Sequence, residues 1–220
     1  MALTVLSDLR PLFGPARDQN PRPTCLAFAA SDAHAVARGL PFDPLSAEWA
    51  YYHAVRRDGG TPDGGATLSG MLDGVRLDGQ PIEAAWPYIN GPDPDPATWA
   101  PPLGVTELFQ RDSAVQAACS VGEVVAPLGA GSPVLLVMTI SDAFYLPSSD
   151  GIVAAAEPPD PERVHAVLAV GHGRLDGSAE AILVRNSWGP DWGEDGHAWL
   201  YEAYLALRLL RSAVMTKELA

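Results

Sequence analysis

The amino-acid sequence predicts an α+β fold in which helices come first and an antiparallel sheet second. Three observations carry that expectation: apolar residues at helical spacing before residue 80, a proline-rich break over residues 91–102, and short β-branched apolar runs beyond it. The first helix is read over residues 25–38 (CLAFAASDAHAVAR). Leu26, Ala29, Ala30, Ala33, Val36 and Ala37 share one stripe there, Thr24 stands at the N-cap and Gly39 ends it. A second helix runs from Ser46, a capping residue with Glu48 in the favourable first turn, to Arg57 before Asp58-Gly59-Gly60. A third follows Thr67, with Leu68, Met71, Leu72 and Val75 at i, i+3, i+4 and i+7, and ends near Gly79.

Five prolines in the twelve residues 91–102 forbid regular structure and divide the chain. A helical lobe is expected over about 20–102 and a β lobe over about 103–220, the latter joined by the N-terminal residues. After a short helical stretch ending at Leu128-Gly129, strands are predicted at 133–140, 165–171, 181–185, 196–201 and 212–216. Gly171-His172-Gly173 is read as a turn, and residues 201–210 as a helical turn or two.

Composition excludes several functions. With 14 Lys plus Arg against 27 Asp plus Glu, the 220-residue chain carries a net charge of −13, the wrong sign for counterion-releasing binding to nucleic acid. No apolar run is long enough for a membrane span, and residues 1–14 lack the basic start and cleavage site of a secretory signal. Cys25 and Cys119 cannot form a disulfide framework or a C-x-x-C pair, and no H-E-x-x-H occurs. A cytoplasmic protein needing neither metal nor organic cofactor is expected. Cys119 is read as a buried, inert helix residue, His34 and His53 as helix-surface residues, and the dispersed carboxylates as a solvated face.

Four residues point to nucleophilic chemistry. Cys25 starts a helix, where free N–H groups and the positive dipole end favour a thiolate. Gln19, six residues upstream, is an amide donor suited to a developing oxyanion. His165 opens an apolar strand, and Asn186 closes another in Asn186-Ser187-Trp188-Gly189, where its amide can orient an imidazole.

These pieces, in this order, resemble a papain-like (C1 family) cysteine peptidase. The likeness rests on Gln19, Cys25-Leu26-Ala27-Phe28-Ala29, Asp63-Gly64-Gly65, Trp86-Pro87-Tyr88, His165-Ala166-Val167, and Asn186-Ser187-Trp188-Gly189 followed by Trp192-Gly193-Glu194-Asp195-Gly196. His165 and Asn186 stand about 140 and 160 residues after Cys25, near the family's spacing. The resemblance implies a two-lobed fold with a cleft between helices and sheet. It makes Cys25 the nucleophile, His165 the base and then acid, Asn186 its orienting partner and Gln19 the oxyanion-hole side chain. Trp188 would shield the Asn186–His165 hydrogen bond and also line the substrate cleft. Gly64 and Gly65 would line the cleft lip against an extended peptide, and Thr67, Val137, Val164 and Ala166 would form a pocket for a modest apolar side chain. His172 and His197 fall where relatives often carry tyrosine and are read as structural aromatics.

The chain also departs from the family. Arg22-Pro23-Thr24-Cys25-Leu26 replaces the usual Cys-Gly-Ser-Cys-Trp, and Pro62 stands where a second structural cysteine is usual. The compact layout is most similar to bacterial members. Because the catalytic segment begins close to Met1, no inhibitory propeptide is expected, and control is assigned to narrow substrate choice, a regulatory partner or a precursor form. The expected activity is hydrolysis of a peptide or protein substrate through a thioester. The competing readings are a peptide-binding module without turnover and an acyl-transferring transpeptidase or ligase.

Overall fold

A computed structural model describes residues 2–39, 41–116 and 120–219. Cys119 lies outside the described residues. The helices are where periodicity puts them: α1 (Cys25–Arg38), α2 (Ala47–Asp58) and α3 (Leu68–Leu77). Ser46 caps α2 by accepting from the Trp49 N–H, and Thr67 caps α3 by accepting from the Gly70 N–H. Thr24 occupies the N-cap of α1 but makes no side-chain cap; its hydroxyl lies 2.8 Å from the Tyr88 hydroxyl instead.

A seven-stranded antiparallel sheet follows, built from β1 (Leu3–Asp8), β2 (Gln110–Gln116), β3 (Val134–Thr139), β4 (Val164–Leu175), β5 (Ala179–Arg185), β6 (His197–Tyr201) and β7 (Leu209–Leu219). Its order is β2-β7-β3-β4-β5-β6, with β1 added on β4. Three further helices, α4 (Val121–Gly129), α5 (Asp142–Tyr145) and α6 (Glu202–Leu205), lie between strands. No helix among the described residues is long and apolar enough to cross a membrane.

Three departures from the sequence reading have physical causes. The expected turn at Gly171-His172-Gly173 is continuous strand, because β4 runs on to Leu175. Its first half pairs with β3 and its second half with β1, and the glycines allow that second pairing. A Cβ at Gly171 or Gly173 would sit 2.6 Å from the Ser7 or Thr4 carbonyl oxygen. Strands β1 and β2 have no counterpart among the expected strands: β1 is largely exposed and β2 (QRDSAVQ) is a polar edge strand, so neither carries an apolar run.

The third departure concerns α1, which is enclosed rather than amphipathic: every residue from Leu26 to Ala35 is buried, with alanines permitting close approach to α2 and β4. His34 is therefore not a surface residue. It is fully buried, with Nδ1 2.9 Å from Gln80 Oε1, and burial pushes its pKa down to about 4 and keeps it neutral. His53 is half-buried, 3.3 Å from an Asp78 carboxylate oxygen, while His172 and His197 are buried. Nor do all carboxylates face solvent. Asp32 is buried between Arg17 and Arg185 at 2.7 and 2.8 Å, and Glu48 is fully buried against Arg22.

Candidate active site

Cys25 is the first residue of α1, so its backbone N–H is among those the helix leaves without an internal partner. The half-buried thiol faces His165, the second residue of β4. Register places His165 opposite Met138 of β3 and Ala166 opposite Val137, so the sheet ladder itself sets the imidazole's height in the cleft. His165 Nε2 lies 2.8 Å from Asn186 Oδ1. That carbonyl oxygen also accepts the Ser187 N–H at 2.8 Å, which fixes the amide's orientation and makes Nε2 the protonated donor. The other ring nitrogen, Nδ1, is left for the thiol.

The electrostatics favour an ion pair. Burial opposes ionisation of Cys25, but the charge and hydrogen bond of His165, with the backbone N–H groups of Ala166 and Leu26, outweigh it and hold the thiol below its ordinary value. Burial likewise opposes charging of His165, and the Cys25 thiolate with the Asn186 hydrogen bond raises it above the usual imidazole value. Both shifts run in the direction of a thiolate–imidazolium pair. The His165 ring lies 4.7 Å from the Trp188 ring and edge-on to Phe144 at 5.7 Å, which covers the Asn186 contact with aromatic surface.

Gln19 is buried, and its amide is held at both ends. Nε2 donates to the Arg22 carbonyl at 2.8 Å, while Oε1 accepts from Ser187 Oγ at 2.7 Å. The reverse orientation would set two carbonyl oxygens against each other, so the amide has one sense, and one N–H remains after the Arg22 bond. Its backbone is tied to the segment after β5 as well, through Gln19 N–H to the Ser187 carbonyl at 2.8 Å. The Cys25 thiol, the His165 imidazole and the Asn186 and Gln19 amides thus converge from residues separated by most of the chain.

Beside Cys25 and His165 opens a predominantly apolar cleft of about 600 Å³. Gly64, Gly65, Thr67, Val137, Val164 and Ala166 all line it. Gly65 adopts φ +78°, a conformation that disfavours a side chain, and its N–H donates to the Tyr51 hydroxyl at 3.1 Å. Asp58, not anticipated from sequence, also lines this cleft while accepting from Thr67 N–H and Oγ1, both at 2.7 Å. Trp188 is not on this wall. It lines an adjoining depression of about 560 Å³ with Leu146, Asp191, Trp192 and Tyr145, whose ring stacks on it at 5.1 Å. The aromatic shelf formed by Phe144 and Tyr145 has no sequence signal, since α5 is only four residues long. Ser187 lies inside a recognised motif, yet its pairing with Gln19 across 168 residues is not readable from it. Among the described residues no group of three or more His, Cys, Asp or Glu side chains could hold a metal ion.

Comparison with known proteins bears on family and fold. Residues 106–214, which include His165 and Asn186 but not Cys25, match the family described as papain family cysteine protease. Cathepsin B-like CP3 of Giardia intestinalis is 34% identical over 91 residues, 41% of this chain and 29% of that protein. Chymopapain of Carica papaya is 58% identical over 33 residues, 15% of this chain and 9% of that protein. The matched residues thus span less than a third of either relative. Fold likeness extends along the whole chain. Xylellain, a cysteine protease from Xylella fastidiosa, superposes with a TM-score of 0.76 at 24% identity, covering 98% of this chain and 87% of that one. Procathepsin L 3 of the Tenebrio molitor larval midgut gives 0.76 at 18%, covering 99% and 71%. Residues 106–214 thus match the papain family of cysteine proteases, and the chain from end to end has the fold of papain-like proteases.

Proposed function

We propose that this protein is a thiol-dependent endopeptidase that opens peptide bonds through a thioester on Cys25. The observation that carries the reading is the Cys25–His165–Asn186 relay, in which thiol and imidazole are shifted in opposite directions toward an ion pair. Cys25 Sγ attacks the scissile carbonyl carbon, and the oxyanion that forms accepts from the free Gln19 Nε2–H and the Cys25 backbone N–H. His165 then gives its Nδ1 proton to the leaving amine as the C–N bond breaks, leaving an acyl group on sulfur. Water enters next. It loses a proton to His165 as it attacks the thioester, the acid departs, and the thiolate–imidazolium pair is restored. The apolar lining from Val137, Val164 and Ala166 suits a modest apolar side chain on the acyl side of the cut.

Intact-mass spectrometry after incubation with the epoxide E-64, with Cys25→Ala alongside, tests the reading. One adduct on the native protein, none on the variant, and peptide hydrolysis lost with Cys25 are expected. Peptide binding that survives Cys25→Ser, with no turnover in either form, would replace the peptidase with a binding module. Transfer of the acyl group to an added amine in place of water would make it a ligase.

A further inference from the structure

The loop that carries Gln19 to the cleft is tied at Gln19 itself, to Ser187 and to the Tyr88 hydroxyl, which donates to the Gln19 carbonyl at 2.6 Å, but its later residues have fewer ties. Residues 18–24 form no regular element, Asn20 has φ +53°, and Pro21 and Pro23 contribute no backbone donor. Beyond Gln19 the loop is fixed through Arg22, between the two prolines. Its carbonyl accepts both the Gln19 side-chain amide and the Thr24 N–H, each at 2.8 Å. Its guanidinium points the other way, into the protein, with no exposed side-chain surface. There it meets the equally buried Glu48 in a two-pronged pair at 2.6 and 3.0 Å, donates to the Ile89 carbonyl at 3.1 Å, and lies over the Tyr88 and Tyr51 rings at 5.0 and 5.6 Å. Glu48 takes two more donors, the Trp99 indole at 2.7 Å and the Ile89 N–H at 3.1 Å. Asp93 stands 3.4 Å from Arg22 Nε.

We propose that Arg22 is a positioning residue for oxyanion stabilisation, its buried pair with Glu48 fixing the carbonyl that aims the Gln19 amide at the reacting carbon. A neutral residue at 22 would offer the same carbonyl but no anchor beneath it. An ion pair of this kind is also poor evidence for a purely stabilising role, since matched apolar or neutral replacements are often as stable, whereas fixing a unique geometry is a use to which such pairs are put. The segment 89–99 enters the same lock, because Ile89 and Trp99 bind the carboxylate that binds Arg22. The inference rests on the reading of Gln19 as an oxyanion donor.

The test is a cycle among wild type, Gln19→Ala, Arg22→Met/Glu48→Gln and the triple variant. The paired change removes both charges, while the amide oxygen introduced at position 48 can still accept from Trp99 and Ile89. A folded paired variant is expected to lose roughly tenfold or more in kcat with KM little changed, while the rate at which iodoacetamide alkylates Cys25 stays at the wild-type level. Gln19→Ala is expected to cost on the order of 100-fold in wild type and under about threefold in the paired background, because the two changes remove one function. Arg22→Lys, which keeps the charge but not the fork, should fall between. Equal cost of Gln19→Ala in both backgrounds, or wild-type kcat in the paired variant, overturns the proposal. If the wild type itself turns over no peptide, the peptidase reading falls, and the Gln19 side-chain amide signals in a ¹H–¹⁵N NMR spectrum still decide the positioning role. Slow amide exchange in wild type that becomes fast in the paired variant supports it, and unchanged exchange refutes it.

Discussion

The two walls of the cleft are held in place by different physics. On one side, Cys25 and Gln19 sit at a helix start and in an irregular loop, fixed by charged side chains that reach inward: Arg22 to Glu48, and Arg17 to Asp32. On the other, His165 sits on β4 and Asn186 directly follows the adjacent β5, fixed by the ladder and by packing of Phe144, Trp188 and Trp192. A strand needs only its register and an apolar face to present a side chain correctly. A loop with two prolines lacks a ladder, and specific pairs must stand in for it. The walls meet at Asp32, which joins α1 to Arg185, the residue before Asn186.

That contrast sets how each wall should fail. Glu48→Gln leaves the Arg22 charge buried without its partner and should lower the free energy of unfolding by about 3–5 kcal/mol. Adding Arg22→Met should restore most of it, as urea titration of the three variants would show. On the sheet side, Phe144→Ala should cost a similar 3–5 kcal/mol or so by leaving a cavity against Trp192 and His165, with no second change to another charge able to restore it. A Phe144→Ala variant as stable as wild type would remove the packing account of that wall.

At the junction, Asp32→Asn should destabilise by about 2–3 kcal/mol at neutral pH through weakened bonds to two arginines. Burial opposes ionisation of Asp32, but Arg17 and Arg185 hold its pKa below the ordinary 3.8. Its contribution is therefore complete above that value and is lost as pH falls through the lower folded-state value. The stability gap between wild type and variant should be constant from neutral pH to about 4 and close below it. A gap that widens on acidification contradicts the assignment.

Asn186→Ala should lower kcat by roughly one to two orders of magnitude while leaving the fold intact, since it frees the imidazole without removing it. The smallest effect lies in the pH profile. The wild-type rate should be bell-shaped, with an acid limb below the ordinary thiol value of 9.0 and an alkaline limb above the ordinary imidazole value of 6.5. Losing the Asn186 hydrogen bond removes one of the interactions that raise His165, so the alkaline limb should move to lower pH. An unmoved limb would show that Asn186 orients the ring without stabilising its charge.

The same division separates what is legible in sequence from what is not. The extent of α1 follows residue for residue from its alanine and leucine stripe, and β3, β5 and β6 fall within about a residue or two of apolar runs. His165 and Asn186 come with them, because a residue at the end of a buried strand has few places to go. Polar edge strand β2 and the exposed β1 leave no such trace. Nor does the burial of His34, Asp32 and Glu48: helical periodicity assigns one face to solvent, and only a second layer on that face reveals that none is left.

The sequence by itself determined the three long helices, the apolar strands and the candidate site residues, because each rests on local period or on a short motif. Tertiary structure alone decided what holds those residues at working distance. Arg22 and Glu48 are 26 positions apart, Gln19 and Ser187 are 168 apart, and Asp32 and Arg185 are 153 apart. Charge and hydrogen-bond complementarity over such separations has no period for a pattern to carry, and it comes into being only when the chain closes around it.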